Sequence, residues 1–128
     1  MKYSRNAVYT RIYDAVKALF ADAYVTATYE IAPSAFPAVF VREIGSVQGP
    51  RAVTFTTDDD QYQSTFEVQV FCDKQMTAYS IMSVVQAEMR ELHYIQDMLQ
   101  PVDNLDRTIY RLVARFHRTY GGGDEMPT

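Results

Sequence analysis

Tryptophan is absent from this sequence of 128 residues, and cysteine occurs once, at Cys72. A single cysteine excludes an internal disulfide and is typical of a reducing compartment. Long apolar runs are also missing: every stretch without a charge is too short or too polar to cross a bilayer, which takes about 20 apolar residues. The opening residues lack the apolar run of a secretory signal. We therefore expect the chain to fold in a cytoplasm and to have no membrane partner.

An excess of basic residues is missing as well. The formal net charge is −4, which has the wrong sign for a dedicated nucleic-acid binder. The only glycine cluster, residues 121–123, precedes no predicted helix, and the two histidines lack metal-ligand spacing. We interpret His93 and His117 as surface or rim residues, and Cys72 as a small buried hydrophobe. We expect no enzymatic activity, no cofactor and no bound metal.

The residues that are present have the composition of a folded protein. Hydrophobic residues make up 48% and charged residues 22%, which predicts a single domain over residues 1–128 with a flexible tail from about residue 121. Ten tyrosines and seven phenylalanines supply the aromatic rings. Most of these rings should fill the core and its rim, but tyrosine is also favoured at surfaces that become buried on association.

Two segments have the apolar spacing of amphipathic helices. In residues 4–24 the apolar positions recur at intervals of three and four, and Ser4 is the expected N-cap. These positions form two adjacent stripes: Val8, Ile12, Ala15 and Leu19, and Tyr9, Tyr13, Val16 and Phe20. The second helix should follow an N-capping Asp73 and end near His93. Its predicted buried stripe is Ala78, Met82, Val85, Met89 and Leu92, and its predicted solvated side is Glu88, Arg90 and Glu91.

Alternation with a period of two and β-branched residues predict five strands. The strands are expected at residues 25–31, 38–44, 62–72, 94–99 and 107–120, with a turn at 101–104 and a long connection at 45–61. In 62–72 one face should carry Phe66, Val68, Val70 and Cys72, and the other Thr65, Glu67 and Gln69. The order helix, two strands, loop, strand, helix, two strands predicts an α+β fold. An antiparallel sheet of about four to five strands would pack against the two helices.

A row of basic residues along the last strand is the first candidate for contact with other molecules. Arg107, Arg111 and Arg115 recur at intervals of four, and His117 alternates onto the face of Arg111 and Arg115. Guanidinium groups in such a row could pair with acidic groups of a neighbour or follow a phosphate backbone. A solvated strand face is the alternative.

Acidic and aromatic residues provide the other two candidates. Asp58, Asp59 and Asp60 are adjacent like charges that stay solvated unless a basic partner is supplied. In a head-to-tail ring, this acidic segment of one subunit could meet the basic face of the next. Tyr9 and Tyr13 lie on the broad apolar arc of the first helix, where one side can contact a neighbour.

Three stretches of the sequence resemble the tail-terminator (tail-completion) family of long-tailed bacteriophages, which are minor structural proteins of the tail. FPAVFV at residues 36–41 is similar to an early strand that contains proline. TFEVQVFCDK at residues 65–74 is similar to the central strand that leads into the second helix. RTIYRLVARF at residues 107–116 is similar to the final strand. With the leading helix, the resemblance spans nearly the whole chain.

The resemblance implies a structural virion protein that assembles with itself as a ring, commonly a hexamer, on the end of the tail tube. Its partners would be the tail tube protein and a head-connector protein. The ring would end tube growth and form the surface that joins the head. DNA would pass through it with weak, non-specific contacts. The protein would reside in the virion tail, after assembly in the host cytoplasm.

Four other functions remain open at the level of sequence. A head–tail connector or other neck protein would have the same composition. A small binding module could recognise a peptide along an exposed strand edge. An enzyme would need a pocket that gathers His117, Arg115 and a carboxylate such as Glu67. A nucleic-acid binder would use the basic strand face, with binding that depends steeply on salt.

Overall fold

The computed structural model describes residues 5–28, 36–48, 62–103 and 108–120. In these residues the chain forms two helices and five strands, an α+β arrangement as predicted. The elements in chain order are α1 (Arg5–Leu19), β1 (Tyr24–Thr26), β2 (Ala38–Gln48), β3 (Tyr62–Cys72), α2 (Gln75–Glu91), β4 (Ile95–Val102) and β5 (Tyr110–Tyr120).

The five strands form one sheet in the order β1-β2-β3-β5-β4. The pairs β2–β3, β3–β5 and β4–β5 are antiparallel, as expected. The pair β1–β2 is parallel, with Val25 opposite Val39, so the sheet is mixed rather than wholly antiparallel. Strand direction at a sheet edge depends on the course of the connecting chain, which alternation within a strand does not encode.

Two strand boundaries differ from prediction because the chain continues through residues that usually end strands. β2 passes through Gly45, with a bulge between Glu43 and Gly45, and continues to Gln48. β4 includes Pro101 and also contains a bulge, between Gln96 and Met98. A proline is tolerated there because β4 lies at the sheet edge, where one side of the strand needs no ladder hydrogen bond.

The helix ends also differ in detail. α1 ends at Leu19 rather than at residue 24, because Tyr24 pairs with Ala38 as the first residue of β1. The N-cap of α2 is Lys74 and makes no side-chain cap hydrogen bond, so the prediction that Asp73 caps this helix is wrong. At the other end His93 has φ of 65°, and Tyr94 N–H donates to the Met89 carbonyl at 2.8 Å. This is the Schellman pattern that ends many helices.

The main core lies between the helices and one face of the sheet. The stripe predicted for α2 is buried throughout, and Ile81 joins it. On α1 the buried residues are Val8, Ile12 and Val16, whereas Leu19, which was predicted to be buried, is exposed. The buried positions recur every four residues from Val8, and the partly buried Phe20 continues them, so Leu19 lies to one side of this stripe.

The opposite face of the sheet has a second, smaller cluster of Ala38, Phe40 and Phe71. The rings of Phe40 and Phe71 meet edge-to-face with centroids 5.3 Å apart, a favourable aromatic geometry. On the same face of β3, Glu67 and Gln69 are buried as well. β3 is therefore buried on both faces, although its sequence alternates like that of a strand with one wet face.

Candidate functional site

Charged side chains from three neighbouring strands meet on the sheet face opposite the helices. We call Arg42, Glu67, Gln69, Arg111 and Arg115 the arginine face. Arg42 of β2 and Arg115 of β5 are the register partners of Glu67 on either side of β3. Side chains directly opposite one another in an antiparallel pair lie on the same face. The register alone therefore brings two guanidinium groups to one carboxylate.

Both oxygens of the Glu67 carboxylate, at the centre of the arginine face, accept hydrogen bonds. Arg42 Nη2 donates to Glu67 Oε1 at 3.2 Å, and Arg115 Nε donates to Glu67 Oε2 at 3.0 Å. Gln69 Nε2 also donates to Glu67 Oε1, at 2.6 Å. The Glu67 side chain is 5% exposed, whereas those of Arg42 and Arg115 are 46% and 49% exposed. The face therefore presents arginines to solvent above a buried anion.

A second layer of contacts extends the arginine face along the strands. Arg111 Nε and Nη2 both donate to Gln69 Oε1, at 3.2 and 2.9 Å. The Arg111 guanidinium also lies over the Phe71 ring, 5.4 Å from its centroid, within range of a cation–π interaction. Gln69 thus accepts from one arginine and donates to the carboxylate that binds the other two, so the five side chains form one connected network.

The arginine face has more positive than negative charge. The five side chains include three guanidinium groups and one carboxylate, which gives an excess of two positive charges among them. Burial alone would raise the pKa of Glu67, but hydrogen bonds from Gln69, Arg115 and Arg42, with the positive charge of Arg42, hold its pKa below the ordinary value. Glu67 therefore stays ionised, and the net charge of these five side chains stays positive.

The predicted basic row is described only in part. Arg111 and Arg115 lie on one face of β5 as expected, whereas Arg107 lies outside the described residues. His117 is on the same strand face, and its Nδ1 is 2.6 Å from Oδ1 of Asp97 on β4. His117 is thus paired at the β4 side of the sheet, and Arg115 is paired with Glu67.

The other predicted contact residues differ in how they are placed. Tyr9 is partly buried, and its hydroxyl donates to the Val25 carbonyl at 3.2 Å, so its polar group is used within the subunit. Tyr13 is 37% exposed, with its ring 6.1 Å from that of Tyr9 and 5.6 Å from Lys17 Nζ. Asp58, Asp59 and Asp60 lie outside the described residues.

The predicted solvated side of α2 is exposed at Arg90 and Glu91 and partly exposed at Glu88, and it also contacts α1. Glu88 and Glu91 both accept from Arg11 Nη2 of α1 at 2.9 Å. Glu91 remains largely exposed, and Glu88 is less so. Exposed pairs of this kind contribute little stability, but they help to set the orientation of the two helices.

Of the residues named above for an enzyme, Arg115 and Glu67 are in contact, and His117 lies on the same strand face and is paired with Asp97. Within the described ranges, no group of three His, Cys, Asp or Glu side chains is arranged to hold a metal ion. Neither described helix has the length and apolarity needed to span a bilayer.

A groove of about 620 Å³ lies beside the arginine face, between the start of α2 and the adjoining ends of β4 and β5. Its walls include Tyr79, Pro101, Ile109 and Tyr110, and Arg111 lies at its border with the arginine face. Tyr79 and Tyr110 are 40% and 45% exposed. We call it the tyrosine groove. Its aromatic and aliphatic walls are suited to protein contact.

Of the five residues of the arginine face, the sequence predicted only Arg111 and Arg115 as contact residues. Arg42 and Glu67 were not among the predicted contact residues, and neither were Tyr79 and Tyr110. The signal that could have revealed Arg42 is its even spacing from Phe40, a residue that is buried on the face opposite the helices. Using that signal requires the register of β2 against β3, which only the folded sheet supplies.

Similarity to known proteins is found in the fold and not in the sequence. No protein-family model matches the sequence, and no curated protein matches it. Among solved structures, the chain is similar to one from a structure described as "Virion of native gene transfer agent (GTA) particle", with a TM-score of 0.61. The match covers 88% of this chain and 92% of that chain, at 12% sequence identity. At this identity the two chains share a fold.

Proposed function

We propose that this chain is a structural protein of a phage-like virion and that it works by assembling with other protein chains. The observation that carries the proposal is the shared fold, which covers 88% of this chain and 92% of a chain from a gene transfer agent virion. Near-complete coverage of both chains means that the similarity extends over the fold and is not confined to one of its elements. The half-exposed arginines and the tyrosine groove are surfaces suited to such assembly.

In its finer form, the proposal is a tail-terminator ring. Copies of the chain, commonly a hexamer, would close head to tail on the last ring of the tail tube. The ring would stop tube growth and offer the opposite surface to a head-connector protein. A heterologous interface of this kind needs two different, complementary surfaces on each copy. The arginine face has a positive excess in a chain whose net charge is −4. This difference supports two surfaces of opposite charge on each copy.

The ring would sit in the virion tail after assembly in the host cytoplasm, and DNA would pass through it. A net negative charge favours weak contact with that DNA, because tight phosphate binding would hinder passage. We propose no catalytic activity for this protein.

A neck or connector protein would share this fold and remains the alternative within the same class. A binding module that captures a peptide at a strand edge has less support. β2 beyond Phe40 has no strand on its outer side among the described residues, but β1 is only three residues long, and β4 is interrupted by the bulge between Gln96 and Met98 and by Pro101. Such interruptions are features by which proteins block strand addition at an edge.

Native mass spectrometry of the purified protein over a concentration series, at low and moderate salt, tests the proposal. A closed ring of defined number supports it. A monomer or dimer at every concentration requires a second arm, in which the protein is mixed with growing tubes of the cognate tube protein. Tubes capped at one end support the terminator. If the protein forms no ring and also fails to bind tubes and head connectors, the proposed function is wrong.

A further inference from the structure

Arg42 and Arg115 of the arginine face each form an ion pair with Glu67 and with no other carboxylate of the described residues. Arg42 and Arg115 flank Glu67 and are each about half-exposed, so their outer edges face away from the buried anion. Guanidinium groups have five N–H donors, and each of these two uses one on Glu67. Two half-exposed guanidiniums on either side of one strand form a row that is suited to carboxylates from another chain.

The sequence contains one dense source of carboxylates. Asp58, Asp59 and Asp60 belong to residues 49–61, which connect β2 to β3. This connection leaves the sheet where Gln48 is paired with Tyr62. The end of β3 at which it emerges is five residues from Glu67, or about 17 Å along the strand. The two to four residues from Asp58–Asp60 to Tyr62 span at most about 7–14 Å, which is less than that distance.

We infer that the row of Arg42 and Arg115 binds Asp58–Asp60 of a second copy of this chain. The inference rests on the proposed ring, and it names the contact that would close each junction. Opposite charges on the two surfaces make the contact head-to-tail, because the row of one copy meets the acidic segment of the next. The contact also restricts which surfaces can meet, because two rows or two acidic segments repel each other.

Charge reversal on each side gives a decisive experiment. One variant carries D58K/D59K/D60K. The other carries R42E/R115E together with E67Q, so that no buried carboxylate is left among like charges. E67Q alone is the control for the row. D14K/D22K, at an exposed residue of α1 and an exposed residue of the turn after it, is the control for charge change elsewhere. Circular dichroism confirms that every variant is folded. Oligomeric state is followed by native mass spectrometry and sedimentation velocity.

Each reversed variant alone should need more than about tenfold higher concentration to assemble, because like charges then face each other at every junction. An equimolar mixture should assemble again, with the two variants alternating, because both kinds of junction in the mixture pair opposite charges. A single chain with both reversals should assemble as well. The controls should behave as the wild type does. If the wild type assembles only on tail tubes, the same comparisons are made by binding to tubes.

The outcomes separate this contact from the proposed function. If the reversed variants assemble like the wild type, the contact is wrong and the ring stands. If neither variant assembles alone and their mixture does not assemble either, the inferred contact between copies is wrong. If R42Q/R115Q weakens retention of duplex DNA and leaves assembly unchanged, the row is a phosphate site and the inference is overturned. If the wild type itself assembles neither alone nor on tubes, the proposed function fails.

Discussion

Glu67 Oε2 and Arg115 Nε lie 3.0 Å apart across β3 and β5, with the carboxylate buried and the guanidinium half-exposed. The two groups therefore experience different surroundings at the two ends of one salt bridge. The ionised state of the carboxylate contributes to the stability of the sheet, because a buried ion pair that loses one partner leaves a costly uncompensated charge. The same bond orients the guanidinium on the surface that we propose for assembly.

The pH dependence of stability should depend on Glu67. Its pKa is lower in the folded chain than in the unfolded chain, so its stabilising effect is present above the unfolded value of about 4.3 and is lost as the pH falls through the folded pKa. Glu67→Gln cannot ionise and should therefore lose less stability than the wild type between pH 5 and pH 3. Urea unfolding at a series of pH values measures both curves. A constant difference between them would contradict the prediction.

Ser64 should be important for stability, because it is the centre of a buried hydroxyl chain. Tyr120 donates to Tyr94 at 3.2 Å, Tyr94 donates to Ser64 at 3.0 Å, and Ser64 donates to Glu43 Oε2 at 2.8 Å. Ser64→Ala removes the hydrogen bond from the buried Tyr94 hydroxyl and the one to Glu43, and should lower the free energy of unfolding by about 1–3 kcal/mol.

Ser83→Ala is the matched control for Ser64→Ala. Ser83 is exposed on α2, and its hydroxyl donates only to the Tyr79 carbonyl one turn earlier. The expected change is within about 0.5 kcal/mol. Equal effects of the two substitutions in urea unfolding, at one protein concentration, would mean that the buried chain contributes no more than a surface hydroxyl.

Cys72 should be unreactive in the folded protein. It is 1% exposed, and burial, together with the hydrogen bond to Asp73 and the negative charge of Asp73, raises the pKa of its thiol. Because the thiolate is the reactive form, modification by a disulfide reagent at pH 8 should be slower than for the unfolded chain by at least about a hundredfold. Rapid labelling of a sample that is fully folded by circular dichroism would place the thiol at the surface.

His93→Gly should stabilise the protein. His93 has φ of 65° after the end of α2, in the left-handed region that glycine occupies without a steric penalty. Removal of the steric penalty on the Cβ of His93 should raise the free energy of unfolding by roughly 0.5–1 kcal/mol. His93→Ala keeps the Cβ and is the control, for which no gain is expected. Thermal unfolding of the three proteins distinguishes the backbone effect from loss of the imidazole.

The sequence was most informative where one element carries its own pattern. β3 has the predicted bounds, and the five residues assigned to the buried stripe of α2 are all buried. In both cases the apolar period is long and uninterrupted, so the local pattern agrees with the tertiary environment. The α+β class followed from the order of these elements.

The features that sequence did not predict depend on contacts between elements. The parallel direction of β1 and the early end of α1 both arise from pairing of Tyr24 with Ala38. The position of Arg42 opposite Glu67 depends on the register of β2, which a bulge after Glu43 changes further along the strand. The burial of Glu67 and Gln69 was not predicted either, because alternation records polarity and not the neighbours that cover a polar group.

Burial of β3 on both sides has a consequence for how this protein tolerates sequence change. In a strand with one wet face, every second position accepts most polar substitutions. In β3, one face contributes Phe66, Val68 and Val70 to the core beneath the helices. The other face buries Glu67, Gln69 and Phe71 on the opposite side of the sheet. A saturation library scored for folding should therefore be depleted at consecutive positions along residues 66–71, with polar residues as intolerant of replacement as apolar ones. Diversification between relatives would then be concentrated away from the centre of the sheet.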